Sequence, residues 1–223
     1  MTKRSFNLRF VFIIILIFVS SSNLFAVEKR KIGFGNNHFV GGRFGAWTMT
    51  TDASVLDSLT DFSNGALFAE FFYAHRIAPF ISGEFTFGIF SQGDLEYNTA
   101  TEVTTGVTKL YPVFISAKLY PLSKYENISL WPYVRIGGGL VYGTRDFTSN
   151  YLGDPINYSV EESEAKITYT WGFGIDWPIA DQIGLNIDFK TTPVKFKDDS
   201  LAGLNDYSGW SLTVGVGYIL KSK

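Results

Sequence analysis

Three observations in the sequence predict an all-β protein, an eight-stranded antiparallel up-and-down transmembrane β-barrel preceded by a cleavable signal peptide. Apolar side chains alternate with polar or tiny ones in eight segments. The connections between those segments alternate in length. Charges inside the segments fall on the face opposite the large apolar residues.

The N-terminus reads as a targeting signal. Lys3, Arg4 and Arg9 precede an unbroken apolar run over 10–19, followed by Ser20, Ser21, Ser22 and a small residue at Ala26. The run is half of the ~20 residues that a membrane-crossing helix requires. The predicted organisation is a signal peptide over 1–26, a short periplasmic segment over 27–37, a barrel over 38–220 and a tail over 221–223.

The strands follow in order. A weak alternation spans 40–50, and clearer ones span 65–75, 80–90, 108–120 and 130–143. In the sixth, Ile167, Tyr169, Trp171, Phe173, Ile175 and Trp177 alternate with Lys166, Thr168, Thr170, Gly172, Gly174 and Asp176. The seventh covers 183–192. The eighth sets Trp210, Leu212, Val214, Val216, Tyr218 and Leu220 against Ser211, Thr213, Gly215, Gly217 and Ile219. Such period-two patterns place one set on each face of a pleated strand. Short turns are predicted at 76–79, 121–129 and 178–182, and long polar loops at 51–64, 91–107, 144–165 and 195–207. Short turns on one rim and long loops on the other mark an outer-membrane barrel, and an even strand number allows closure without edges.

Charge decides which face points inward. Glu70 opposes Leu67, Ala69, Phe71 and Tyr73, Glu84 opposes Ile81, Phe85 and Phe87, and Arg135 opposes Val134, Ile136 and Leu140. A barrel of eight strands is too narrow to hold every large side chain, so the glycines and charges face the lumen and the aromatics face lipid. Trp171, Trp177 and Tyr218 then suit aromatic girdles. The predicted lumen has two zones. Arg43, Glu70, Glu84, Lys118, Arg135, Asp176, Asp188 and Lys190, four bases and four acids, form an ionic network. Trp47, Phe68, Phe90, Leu110, Phe114 and Val141 form an apolar mouth opposite Thr168, Thr170, Thr192, Ser211 and Thr213, suited to a small hydrophobic ligand or to ordinary packing.

Composition excludes other classes. The 223 residues contain no Cys and only His38 and His75, so neither a thiol nucleophile nor a metal cluster is predicted, and no cofactor or catalytic residue is assigned. Both histidines belong to the short-turn rim, away from any outer-leaflet substrate, and the chain is not read as an enzyme. Without residues 1–26 it carries 16 basic and 21 acidic residues, a balance that argues against nucleic acid. The acids gather in the predicted external loops: Asp52, Asp57 and Asp61; Asp94, Glu96 and Glu102; Asp146, Asp154, Glu161, Glu162 and Glu164; Asp198, Asp199 and Asp206. Beside lipopolysaccharide they need divalent cations or the neighbouring Arg145, Lys166, Lys195 and Lys197.

The stretch Trp131-Pro132-Tyr133-Val134-Arg135-Ile136-Gly137-Gly138-Gly139-Leu140 is similar to the Arg-Pro-Tyr-Val-Gly-x-Gly strand of the OmpW family, and the stretch from Gly184 to Lys190 adds to the likeness. The chain thus resembles the small OmpW, OmpX and OmpA-type barrels, OmpW most. That resemblance implies a porin-like protein of the Gram-negative outer membrane, with lipid and lipopolysaccharide as surroundings and small hydrophobic molecules as cargo. The terminal strand resembles the signal read by the barrel-insertion machinery, through Thr213, Gly215, Tyr218 and Leu220. A non-conducting structural or adhesive barrel acting through its acidic loops is the alternative.

Overall fold

The structure, a computed structural model, describes residues 37–50, 65–98, 102–123, 130–151, 157–197 and 206–221. The predicted signal peptide and most of the segment after it lie outside the described residues, as do the acids at 52, 57, 61, 154, 198 and 199. Eight strands run in chain order: β1 (Asn37–Met49), β2 (Gly65–Ala78), β3 (Ile81–Asn98), β4 (Glu102–Leu119), β5 (Trp131–Tyr151), β6 (Asn157–Pro178), β7 (Ile183–Thr192) and β8 (Gly209–Lys221). Every neighbouring pair is antiparallel, and β1 pairs with both β2 and β8, so the sheet closes on itself. Closure satisfies the backbone N–H and C=O groups of the ring within the protein, which a hydrocarbon environment demands.

The two faces divide as the charges require. Arg43, Glu70, Glu84, Lys118, Arg135, Asp176, Asp188 and Lys190 are all buried inside, while Leu67, Phe71, Ile115, Ile136 and Phe173 stand on the outer wall. Ile167 is 86% exposed and Ile115 is 71% exposed. An outer wall of this kind is stable only against lipid, because a water-soluble protein seldom exposes so large a contiguous apolar surface. The interior is crowded enough to require glycine at defined places. A Cβ on Gly139 would lie 1.9 Å from the Val113 carbonyl oxygen, and one on Gly215 would lie 2.6 Å from Cγ of Arg43.

The strands differ from the sequence expectation in length. The predicted loops at 91–107 and 144–165 are mostly strand: β3 continues to Asn98, β4 begins at Glu102, β5 continues to Tyr151 and β6 begins at Asn157. Pairing persists to Asn98↔Val103, Glu102↔Tyr151 and Asn150↔Asn157. Hydrogen bonds between strands need no apolar alternation, and the β-branched Val103, Thr104, Thr105, Val107 and Thr108 favour extended backbone in water. Asp94, Glu96, Glu102, Asp146, Glu161, Glu162 and Glu164 therefore stand on strands. Trp171 likewise lies well inside the lengthened β6 instead of at its end.

Candidate functional site

The lumen is filled by three layers, described from the rim of short turns upward. At that rim the Arg76 guanidinium lies 4.3 Å from the Tyr120 ring centroid and 4.9 Å from that of Trp131, and it donates to the carbonyl oxygens of Ala78 and Pro79. Phe39, Phe72, Ala74 and Ile219 pack beside it as a small buried cluster. A cation held between aromatic faces gains most where water is absent.

The second layer is ionic. Arg43 donates to Glu70 at 2.7 Å and to Glu84 at 2.5 Å, and lies 3.7 Å from Asp188. Arg135 reaches Glu84 at 3.0 Å and Asp188 at 3.1 Å, and donates to the Ser116 hydroxyl at 2.9 Å. Lys118 pairs with Glu84 at 2.6 Å and Asp176 at 3.5 Å, while Lys190 pairs with Glu70. The structure thus brings all eight charged residues of the predicted network into one connected set of four cations and four anions. These side chains are at most 2% exposed, so each charge depends on its partners in place of water.

Neutral groups complete the network, and they were missing from the sequence reading. Tyr133 donates to Asp188 at 2.6 Å and Tyr120 donates to Asp176 at 2.8 Å. Asn186 donates to Asp176 at 2.5 Å. Tyr133, Asn186 and Ser116 share the inward parity of Arg135, Asp188 and Lys118, which is the signal that identifies them. Cation–π contacts, Arg43 on Phe72 at 4.2 Å and Lys118 on Tyr133 at 4.1 Å, supply further partners.

The third layer is apolar. Trp47, Phe68, Phe90, Leu110, Phe114 and Val141 are each 1% exposed or less and form one cluster with Met49, Val194, Phe196 and Tyr207. Trp47 meets Phe68 edge-on at 5.5 Å and lies 5.7 Å from Phe90. The hydroxyl wall stands opposite: Thr170, Thr192, Ser211 and Thr213 are buried, and Thr192 donates to Thr170 at 3.2 Å. Thr168 is half-buried and donates to the Pro193 carbonyl.

Val194, Phe196 and Tyr207 come from the connection between β7 and β8, whose described residues 193–197 and 206–208 cover this layer as a cap. The inward parity of Asp188, Lys190 and Thr192 continues through Val194 and Phe196, although the ladder with β8 ends at Thr192↔Gly209. The cap is held by Tyr207 N donating to Val194 O at 2.8 Å and Val194 N donating to Ser208 Oγ at 2.9 Å. Lys195 pairs with Asp206 at 3.1 Å. Burial pushes the Asp206 carboxyl up, but hydrogen bonds from Ser208 and the Lys195 charge outweigh it and hold that group below its ordinary value. Burial pushes the Tyr207 phenol up to about 12, so it stays neutral in the cap.

No family model and no curated protein sequence matches the chain. Among solved structures, it is similar to the outer membrane protein OprG from Pseudomonas aeruginosa, with a TM-score of 0.53 at 13% identity over 84% of this chain and 97% of that one. It is similar also to Ail, the attachment invasion locus protein of Yersinia pestis, determined with the heparin analogue sucrose octasulfate, with a TM-score of 0.49 at 12% identity over 82% of this chain and 97% of the other. Neisserial surface protein A gives a TM-score of 0.49 at 12% identity, covering 84% and 98%. Agreement at such identities concerns the fold. Eight strands, closure and an outward apolar wall decide the rest.

The protein is an integral β-barrel of the bacterial outer membrane.

Within that class the fold is that of the small eight-stranded barrels in general, and OmpW is not singled out among them. The aromatic residues fit the assignment: outward-facing Tyr111 and Tyr142 lie 6.3 Å apart toward the long-hairpin rim, and Trp177 and Tyr218 lie near the short-turn ends of β6 and β8. No group of three or more His, Cys, Asp or Glu that could hold a metal occurs among the described residues.

Proposed function

We propose that this outer-membrane barrel is closed to ions and acts at the cell surface through the sheet that β3, β4, β5 and β6 raise above the ring. The observation that carries this reading is the filled lumen: an arginine clamp, a buried ionic layer and a capped apolar layer succeed one another along its axis. Water and ions need a continuous polar path, and the apolar layer interrupts it.

The raised sheet supplies the surface. Above Phe68↔Phe90, β3 has no ladder partner on its β2 side among the described residues, and above Trp171↔Thr191, β6 has none on its β7 side. A strand edge without a ladder partner offers N–H and C=O groups to an extended segment of another protein, and on β6 that edge is flanked by 193–197, where Thr168 donates to the Pro193 carbonyl and the Lys197 N–H donates to Glu164. The sheet bears Glu161, Glu162 and Glu164, with Arg145 lying 3.7 Å from Glu162. Long hairpins are external in such barrels and short turns periplasmic, so in this reading the sheet stands outside the cell and the start of β1 and the end of β8 face the periplasm.

Planar-bilayer recording with the purified protein tests the closed state, and cell-binding assays test the surface role. We expect no steady conductance, and loss of adherence when residues 147–160 are removed from a barrel that still folds. Steady channels, or adherence untouched by that deletion, overturn the proposal.

A second reading is favoured by one specific observation. The Trp47 indole N–H is buried beneath the cap with no hydrogen-bond partner among the described residues. In this reading the apolar layer is a site for a small hydrophobic molecule bearing one acceptor, seated beneath Val194, Phe196 and Tyr207.

A further inference from the structure

The only two histidines of the chain, 37 positions apart in sequence, are placed directly opposite each other by the barrel. His38 near the start of β1 is in register with His75 near the end of β2. Their rings stack with centroids 4.5 Å apart and planes 24° from parallel. His75 is exposed and His38 half-exposed on the outward face, close to the short-turn rim where lipid headgroups and water meet the wall. Nδ1 of His38 lies 2.5 Å from the Tyr73 hydroxyl, one ladder step inside the pair on β2.

We propose that His38 and His75 form a two-imidazole site for a borderline divalent transition ion, Cu(II) most tightly and Ni(II) or Zn(II) less so. Directly paired residues on adjacent strands have Cβ atoms about 4.5–5.5 Å apart, a separation from which two imidazoles converge on one ion at about 2.0–2.1 Å. The Tyr73 contact prepares one ligand. When Nδ1–H of His38 donates to the phenol oxygen, Nε2 carries the free lone pair, as in sites where a ligating imidazole is oriented through its other nitrogen. Exposed His75 turns its edge toward the ion by side-chain rotation, and water completes the shell. Imidazole donors with open positions favour Cu(II), Ni(II) and Zn(II) and discriminate against Mg(II) and Ca(II), which take oxygen donors. The sequence reading counted two histidines and assigned no metal; register turns that pair into a chelate.

The test is titration of the untagged full-length protein, purified in detergent, with Cu(II) alone, followed by electron paramagnetic resonance. One equivalent should bind with a signal showing two nitrogen ligands. His38→Gln and His75→Gln should each weaken binding by at least about tenfold, the order of effect expected when a ligand's environment is disrupted. Heat-modifiable gel mobility of both variants establishes that the barrels are folded. The proposal fails if two ions bind independently, one to each imidazole, or if one variant leaves affinity unchanged. It fails also if the bound ion shows a single nitrogen ligand.

Discussion

Arg43 of β1 and Glu84 of β3 meet at 2.5 Å across the lumen although a whole strand separates them around the wall. The same Glu84 receives Lys118 at 2.6 Å and Arg135 at 3.0 Å, so one carboxylate holds cations from three strands. Such a hub cannot be traded for a surface pair. Its charges are out of water, and the loss of one partner leaves another stranded.

The first prediction concerns that hub. Arg135→Ala uncovers carboxylates on both Glu84 and Asp188 and should destabilise the folded barrel by about 3 to 5 kcal/mol. Urea unfolding in lipid vesicles, followed by tryptophan fluorescence, measures it. A cost of about 1 kcal/mol or less, as for exposed pairs, would mean that water reaches the layer.

Facing is tested by two substitutions three residues apart on β2. Phe68 is fully buried in the apolar layer, whereas Phe71 stands on the outer wall at 48% exposure. Phe71→Asp should impair membrane insertion, since an aspartate on the lipid face is disfavoured by up to about 2 kcal/mol toward the midplane. Phe68→Asp should leave insertion intact while disturbing the cap, and should abolish any response to an apolar solute. Equal assembly defects in the two would refute the facing; an unchanged solute response in folded Phe68→Asp would leave the closed surface barrel standing alone.

Orientation predicts where protease cuts on intact cells. The β5–β6 connection between Tyr151 and Asn157 should be accessible, and the turn between β2 and β3 should be protected. Mapping the fragments by mass spectrometry checks this, and cleavage confined to 76–79 would reverse the barrel in the membrane.

The cap should respond to acid. The Asp206 carboxyl is held below its ordinary value in the folded state, so its contribution is fully present above the unfolded pKa of about 4 and is lost as pH falls through the lower folded value. Hydrogen exchange of the Tyr207 and Val194 amides, corrected for its intrinsic pH dependence, should accelerate below about pH 4. Asp206→Asn should remove most of that pH dependence.

The sequence by itself determined the strand number, the inward parity and the charge balance of the lumen. Period two puts Glu70, Glu84, Arg135 and Asp188 on one face, and no barrel this narrow tolerates the opposite choice. Only the tertiary structure decided where strands end and who meets whom. The polar extensions of β3 to β6 carry little apolar alternation, because the backbone ladder that pairs them needs no buried face. Phe196 and Tyr207 of the cap fall in the polar loop expected over 195–207, and Val194 just before it, because these residues turn inward without regular pairing to β8. His38 meets His75, and Arg43 meets Glu84, through register and closure. Both depend on how many residues each strand advances against its neighbour around the ring, a long-range quantity that no local pattern encodes.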